Sequence, residues 1–315
     1  MILKRIGILG IGGVGGYVGG LLAKVCGSSP EREIIFIARG LNAQAIKKNG
    51  LTILTDEGSE VIIPTIITDD PKQIGQLDLL ICSTKSYDLK VALNQLEKCI
   101  SSETYILPLL NGVDTASVVE GIFPNIKIID GCIFIVSKLT EPGVIQVTGN
   151  NHSVFFGSST TPETVLDELE DLFNKAGIKN KRSEDIQKAI WEKYTFIAPL
   201  ASLTTYLDQT IGQILENELS KKLLVALMQE VCDLAIKQKI AIVPNIIERN
   251  LFSMTKMPYE TTASMHRDVK SGKHSEYKSL NGFVVGLGNE LNVPTPEFEK
   301  INKEFEIRFN NEILG

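Results

Sequence analysis

The first half of the chain alternates two hydrophobic rhythms. Short apolar runs, strand-like in length and content, stand at residues 5–10, 33–38, 77–83, 104–107 and 126–133. Between them, residues 13–25, 42–49, 89–99 and 115–122 read as helices. This alternation predicts a parallel sheet with helices on both faces. Residues 51–54 and 61–64, separated by Asp56-Glu57-Gly58-Ser59, predict an inserted hairpin. Residues 144–147 and 153–156 predict added strands before a helix at 162–176. From residue 183 the rhythm changes to helix after helix, over 184–206, 210–217, 219–239, 245–255, 274–291 and 296–311. The expected class is α/β: a doubly wound N-terminal domain over 1–182 and an all-helical C-terminal domain over 183–315.

The first strand runs into Gly10-Ile11-Gly12-Gly13-Val14-Gly15, a G-x-G-x-x-G between a strand and a helix. There the first glycine permits a tight turn and the second lets the backbone approach a pyrophosphate. The third lets the helix pack close to the sheet. The helix N-terminus offers unpaired N–H groups to the phosphates. A dinucleotide site is the expectation, and a glycine turn without ligand is the alternative. The second strand ends in Ala38-Arg39-Gly40, where a site for an unphosphorylated ribose carries an acidic residue. A guanidinium suits a 2′-phosphate, so Arg39 points to NADPH over NADH. The plain alternative is a solvated arginine at a strand end.

With 315 residues the chain is long enough for two cored domains. A net charge of −6 argues against a nucleic-acid surface, which needs a basic face, but allows one small basic pocket. The five cysteines include no C-x-x-C, so neither a zinc site nor a disulfide framework is expected. Buried free thiols in a reducing compartment fit better, and the expected location is cytoplasmic. Lys4 and Arg5 before an uncharged stretch imitate a signal peptide, but the glycines fit strand–turn–helix better. No segment is apolar for long enough to span a bilayer. His152, His266 and His274 lack metal-ligand spacing, so no metal is expected.

Two charges stand on apolar faces. The helix expected from residue 184 carries Ile186, Ile190, Ile197, Leu200 and Thr204 on one side, and Lys193 falls on that side. Glu276 shares a face with Leu280, Phe283, Leu287 and Leu291 in the first turn of its own expected helix. Taken singly, they read as a snorkelling lysine and a capping glutamate. Taken together, they suggest a lysine–carboxylate pair at a site. Hydride reduction of a ketone creates an alkoxide, and an ammonium can stabilise that charge and donate the proton.

These residues, in this order, resemble the ketopantoate reductases over nearly the whole chain. The resemblance rests on the Gly10–Gly15 turn, Ala38-Arg39-Gly40, Ser83-Thr84-Lys85-Ser86 and Leu110-Asn111-Gly112-Val113. It continues through Glu141-Pro142-Gly143-Val144-Ile145, Trp191-Glu192-Lys193, and Ser275-Glu276 with Leu280-Asn281-Gly282. It implies a Rossmann-type N-terminal domain and NADPH-dependent reduction of 2-dehydropantoate to pantoate, a step toward coenzyme A. By the same resemblance Lys193 is the proton donor and Glu276 supports substrate and cofactor. Asn111 lies between nicotinamide and substrate, Lys85 contacts the cofactor, and Ser264 binds the substrate carboxylate. The implied partner is a small-molecule 2-keto acid, with neither nucleic acid nor membrane.

The chain departs from the family pattern where asparagines often stand four and eight residues beyond the lysine; here those positions are Ile197 and Ala201. Pro199 interrupts the same helix and is expected to kink it, and Lys278 replaces a common acidic residue. Missing amides change which hydroxylated substrate is favoured, so another 2-keto acid stays open as substrate. A non-catalytic nucleotide sensor is a further alternative. Gly282 and Gly286 predict close helix packing, within the chain or in a homodimer.

Overall fold

The computed structural model describes residues 2–27 and 31–310. The last position of the helix expected at 296–311 falls outside them. The chain forms two compact units. One takes the chain up to Leu110 and Thr115–Ile186; the other takes Asn111–Asp114 and the chain from Gln187 on.

The first unit runs β1 (Arg5–Leu9), α1 (Gly13–Cys26), β2 (Glu33–Ile37), α2 (Gly40–Asn49), β3 (Leu51–Thr55), β4 (Gly58–Ile62), β5 (Ile66–Thr68) and a short α3 (Pro71–Ile74). It continues through β6 (Leu79–Cys82), α4 (Ser86–Gln95), β7 (Tyr105–Pro108), α5 (Thr115–Ile122), β8 (Lys127–Ile128), β9 (Asp130–Glu141), β10 (Val144–Gly157), α6 (Glu163–Lys175) and β11 (Asn180–Arg182). The main sheet has the order β5-β2-β1-β6-β7-β8, parallel at every pairing. Its strands obey the two-residue period. Ile6, Ile8, Ile34, Phe36, Leu79 and Ile81 join one core, while Leu9, Ile35, Ile37, Leu80 and Cys82 join the other. Burial on both faces is why these strands read as unbroken apolar runs.

A second sheet is built on β10, which pairs with β9 along one edge and with β3 and β11 along the other; β4 continues from β3. Helix α1 packs against both sheets. A Cβ at Gly19 would stand 3.0 Å from Ile8 of the main sheet, and one at Gly20 would stand 2.7 Å from Ile53 of the second. Each glycine in a helix interior costs about 1 kcal/mol in propensity, which close contact with two sheets offsets.

The second sheet is more extensive than the sequence pattern predicts. The run at 126–133 divides into β8 and the start of β9, and the two short strands expected at 144–156 are one continuous β10. The outer half of β9 mixes exposed Val136, Lys138 and Leu139, so no apolar run marks it, and the ladder with β10 holds it in place. The strands β5 and β11 are three residues each, too short to carry a pattern.

The second unit consists of α7 (Ile186–Leu207), α8 (Ile211–Glu216), α9 (Glu218–Lys237), α10 (Ile246–Thr255), α11 (Ser264–Lys270), α12 (Phe283–Leu291) and α13 (Pro296–Asn310). Tyr194, Leu203, Leu227, Val231, Phe298 and Phe305 are among the side chains of its core. Helix α7 runs without interruption through Pro199. The helix expected at 274–291 begins late, with a π turn over Lys278–Gly282 leading into α12. The seven-residue α11 has no counterpart among the helices expected from the pattern, being too short to carry one. All five cysteines are buried free thiols. Among the described residues no helix is long and apolar enough to cross a membrane.

Buried Glu230 of α9 joins two helices by accepting the N–H groups of Glu297 (2.9 Å) and Phe298 (3.1 Å) at the start of α13. Burial pushes its carboxyl up, against the pull of those hydrogen bonds. Glu230→Ala leaves both donors without their acceptor and is expected to cost about 1–3 kcal/mol. Chemical denaturation of the two proteins at one pH checks this.

Candidate active site

The glycine turn is locked from beneath. Gly10, at φ +90°, donates its N–H to Ile37 (3.2 Å). The Ser83 hydroxyl at the end of β6 reaches the carbonyls of Leu9 (3.1 Å) and Gly10 (2.8 Å). A Cβ at Gly15 would collide with the Gly10 carbonyl and the Ser83 hydroxyl, which is the close approach the third glycine of the motif permits. At Gly13 a Cβ would stand 2.7 Å from the Ser137 hydroxyl of β9, so the second sheet also crowds the turn. Ile11 is buried and Val14 half-buried, both packed in the core below.

Gly12, the N-cap of α1, has open space where a side chain would stand. No side chain caps α1, and no acidic residue occupies its first turn. Its leading N–H groups and positive dipole end therefore suit an anion. The turn fits a dinucleotide pyrophosphate by this test. Lys85 follows directly, as the residue capping α4 after Thr84, and the Thr84 backbone N lies 2.9 Å from where a Gly10 side chain would begin.

Arg39 is the N-cap residue of α2 and is exposed. It lines a hollow of about 200 Å³ together with Ala43, Lys47, Thr68 and Asp69. Two cations against one carboxylate leave this hollow suited to a phosphate. Lys47 carries no motif of its own; it stands eight residues beyond Arg39, two turns along the same helix, and that spacing is its only signal.

In the helical unit, Lys193 is 6% exposed on α7 and gives a hydrogen bond from Nζ to Asn111 Oδ1 at 3.0 Å. Asn111 follows strand β7, yet the segment Asn111–Asp114 groups with the helices. Val113 packs against their core. Burial pushes the Asp114 carboxyl up. The Tyr194 hydroxyl is pushed up by burial and then by the Asp114 charge, and it donates to the Ser279 carbonyl at 2.8 Å.

Glu276 is 4% exposed and precedes the π turn, where its carbonyl accepts the N–H groups of Ser279 and Leu280, each at 3.1 Å. Ser264 opens α11 and is half-buried. Ala201 is buried and Ile197 half-buried, so neither family amide position offers a hydrogen bond here. Polar groups appear instead at Asn281, of the Leu280-Asn281-Gly282 motif, and at Thr195, Ser202 and Asn250, which no sequence pattern marks. Asn281 donates to the Ser202 hydroxyl (3.3 Å), and Asn250 donates to Thr195 (3.0 Å), all four of them buried.

Two family models match the chain: ketopantoate reductase PanE/ApbA over residues 6–160 and its C-terminal counterpart over residues 185–305. An uncharacterized oxidoreductase, YkpB, of Bacillus subtilis is 31% identical over 295 residues, covering 93% of this chain and 95% of its own. A crystal structure of 2-dehydropantoate 2-reductase from Porphyromonas gingivalis superposes with a TM-score of 0.82 at 28% identity, over 96% of this chain and 99% of that one. The ternary structure of D-mandelate dehydrogenase with NADH and anilino(oxo)acetate shares the fold, with a TM-score of 0.86 at 23% identity over 98% and 99% of the two chains. With a Rossmann-type parallel sheet in one unit, helices in the other and both family models matched, the chain belongs to the ketopantoate reductase family and is an oxidoreductase of that type.

Proposed function

We propose that this protein reduces 2-dehydropantoate to pantoate with NADPH, in the route to pantothenate and coenzyme A. The observation that carries the reading is Lys193, an ammonium buried on an apolar helix stripe and hydrogen-bonded to Asn111. A buried charge needs a partner or a purpose, and the family acts on small keto acids. Lys193 donates a hydrogen bond to the ketone oxygen, stabilises the alkoxide as it forms, and passes it a proton. Asn111 accepts one of the three ammonium N–H bonds and so fixes the direction of the others. Glu276 accepts from a substrate hydroxyl, and Ser264 meets the carboxylate.

NADPH, when bound, supplies the hydride to the keto carbon. Residues Gly10–Gly15 receive its pyrophosphate at the α1 N-terminus, with Lys85 beside the turn. Arg39 and Lys47 take the 2′-phosphate. The open space at Gly12, the bare start of α1 and the two cations around the hollow support this assignment. A second reading, a different 2-keto acid as substrate, is favoured by apolar Ile197 and Ala201 and by the shared fold of D-mandelate dehydrogenase.

Lys193→Ala is expected to lower kcat by about 10²–10⁴-fold, the range for a lost general acid. Unchanged turnover in that variant refutes the assigned role. A kinetic panel of 2-keto acids with NADPH and NADH checks substrate and cofactor. The expected result is the highest kcat/KM for 2-dehydropantoate with NADPH. A stronger response to another keto acid selects the second reading, and a preference for NADH removes Arg39 from cofactor selection.

A further inference from the structure

Resting on the cofactor reading above, we propose that Asn42 is a positioning residue that aims the glycine turn at the dinucleotide pyrophosphate. Its side-chain amide bridges two distant backbone groups. Nδ2 donates to the Ile11 carbonyl at 2.7 Å, and Oδ1 accepts the Gly143 N–H at 2.7 Å. Ile11 lies between the first two glycines of the turn. Gly143 lies in the tight connection between β9 and β10, at φ +81°. That connection is itself fixed, because the Gly143 carbonyl accepts the N–H of Thr52 at the start of β3 (2.8 Å).

The consequence follows from peptide planarity. The Ile11 carbonyl and the Gly12 N–H belong to one rigid plane and point in opposite directions. Holding the carbonyl therefore aims the N–H. Gly12 has no side chain and α1 has no side-chain cap, so the Asn42 amide is the side chain that holds that plane. Asn42 also stands in the first turn of α2, whose N-cap is Arg39. One side chain thus ties the helix that carries Arg39 to the turn that meets the pyrophosphate. Among side chains of this length only an amide presents a donor and an acceptor at the same end. A carboxylate keeps the bond from Gly143 but faces the Ile11 carbonyl with a second acceptor.

The test compares the unaltered protein with Asn42→Ala and Asn42→Asp, measuring NADPH affinity by titration together with steady-state kinetics. Both variants are expected to bind NADPH at least tenfold more weakly and to show a raised KM for it. At saturating cofactor, kcat is expected to fall less than threefold, with KM for the keto acid unchanged. If the residue only anchored the hairpin, Asn42→Asp would restore affinity, because it keeps the Gly143 bond; that result, or unchanged affinity in Asn42→Ala, overturns the proposal. Should the variants fail to fold, amide exchange in the unaltered protein decides. NADPH is expected to slow exchange at Gly143 as well as at Gly12, and an unaffected Gly143 overturns the coupling. Failure of the unaltered protein to bind either dinucleotide overturns the cofactor reading and this proposal with it. Binding by the unaltered protein with no loss in Asn42→Ala overturns this proposal alone.

Discussion

The Lys193 ammonium sits on the same stripe of α7 as buried Ile186, Ile190 and Leu200, and gives one hydrogen bond to Asn111. Taking an ammonium out of water costs several kcal/mol unless hydrogen bonds replace the lost hydration. The chain meets that demand with a four-residue excursion. After β7 it leaves the parallel-sheet unit, places Asn111, Val113 and Asp114 with the helices, and returns for α5. The excursion is thus explained by what it does: it supplies the lysine's acceptor and packs Val113 against the helical core. A charge held this way is oriented before any substrate arrives, which electrostatic stabilisation of an alkoxide requires.

The glycine turn depends on a different constraint, the lack of side chains. Helix α1 packs against two sheets and its first turn presses on β6, so room exists only where Cβ atoms are missing. The glycines cost helix propensity and return a backbone that lies close to its neighbours. They also leave the α1 N-terminus bare of caps and carboxylates, so an anion is its natural complement. The same economy makes the turn floppy in principle, and side chains from outside it, Ser83 and Asn42, supply the missing stiffness.

Local signals in the sequence carried far. The strand–turn–helix at the N-terminus, the doubly buried strands and the misplaced Lys193 were legible because each depends on spacing within a few residues. The long β9–β10 hairpin was not, since exposed Val136 and Lys138 break any apolar alternation and the register depends on cross-strand pairing. The Asn111–Lys193 bond spans 82 positions and the Asn42–Gly143 bond 101; no single stretch of sequence announces either. The π turn before α12 was hidden for a related reason. Its apolar spacing reads as an ordinary helix, and Glu276 lies just before the turn, its carbonyl accepting the N–H groups of Ser279 and Leu280.

Membership of the family fixes the type of reaction, while the acid that completes it is an assignment to one side chain. The pH profile of kcat/KM for 2-dehydropantoate reduction, taken for the unaltered protein and for Lys193→Ala, bears on that assignment most directly. A proton-donating Lys193 gives the unaltered protein an activity that falls as the ammonium is deprotonated at alkaline pH, and a residual activity in the variant that lacks this fall. The same alkaline decline in both proteins would contradict the account, since some other group would then carry the proton.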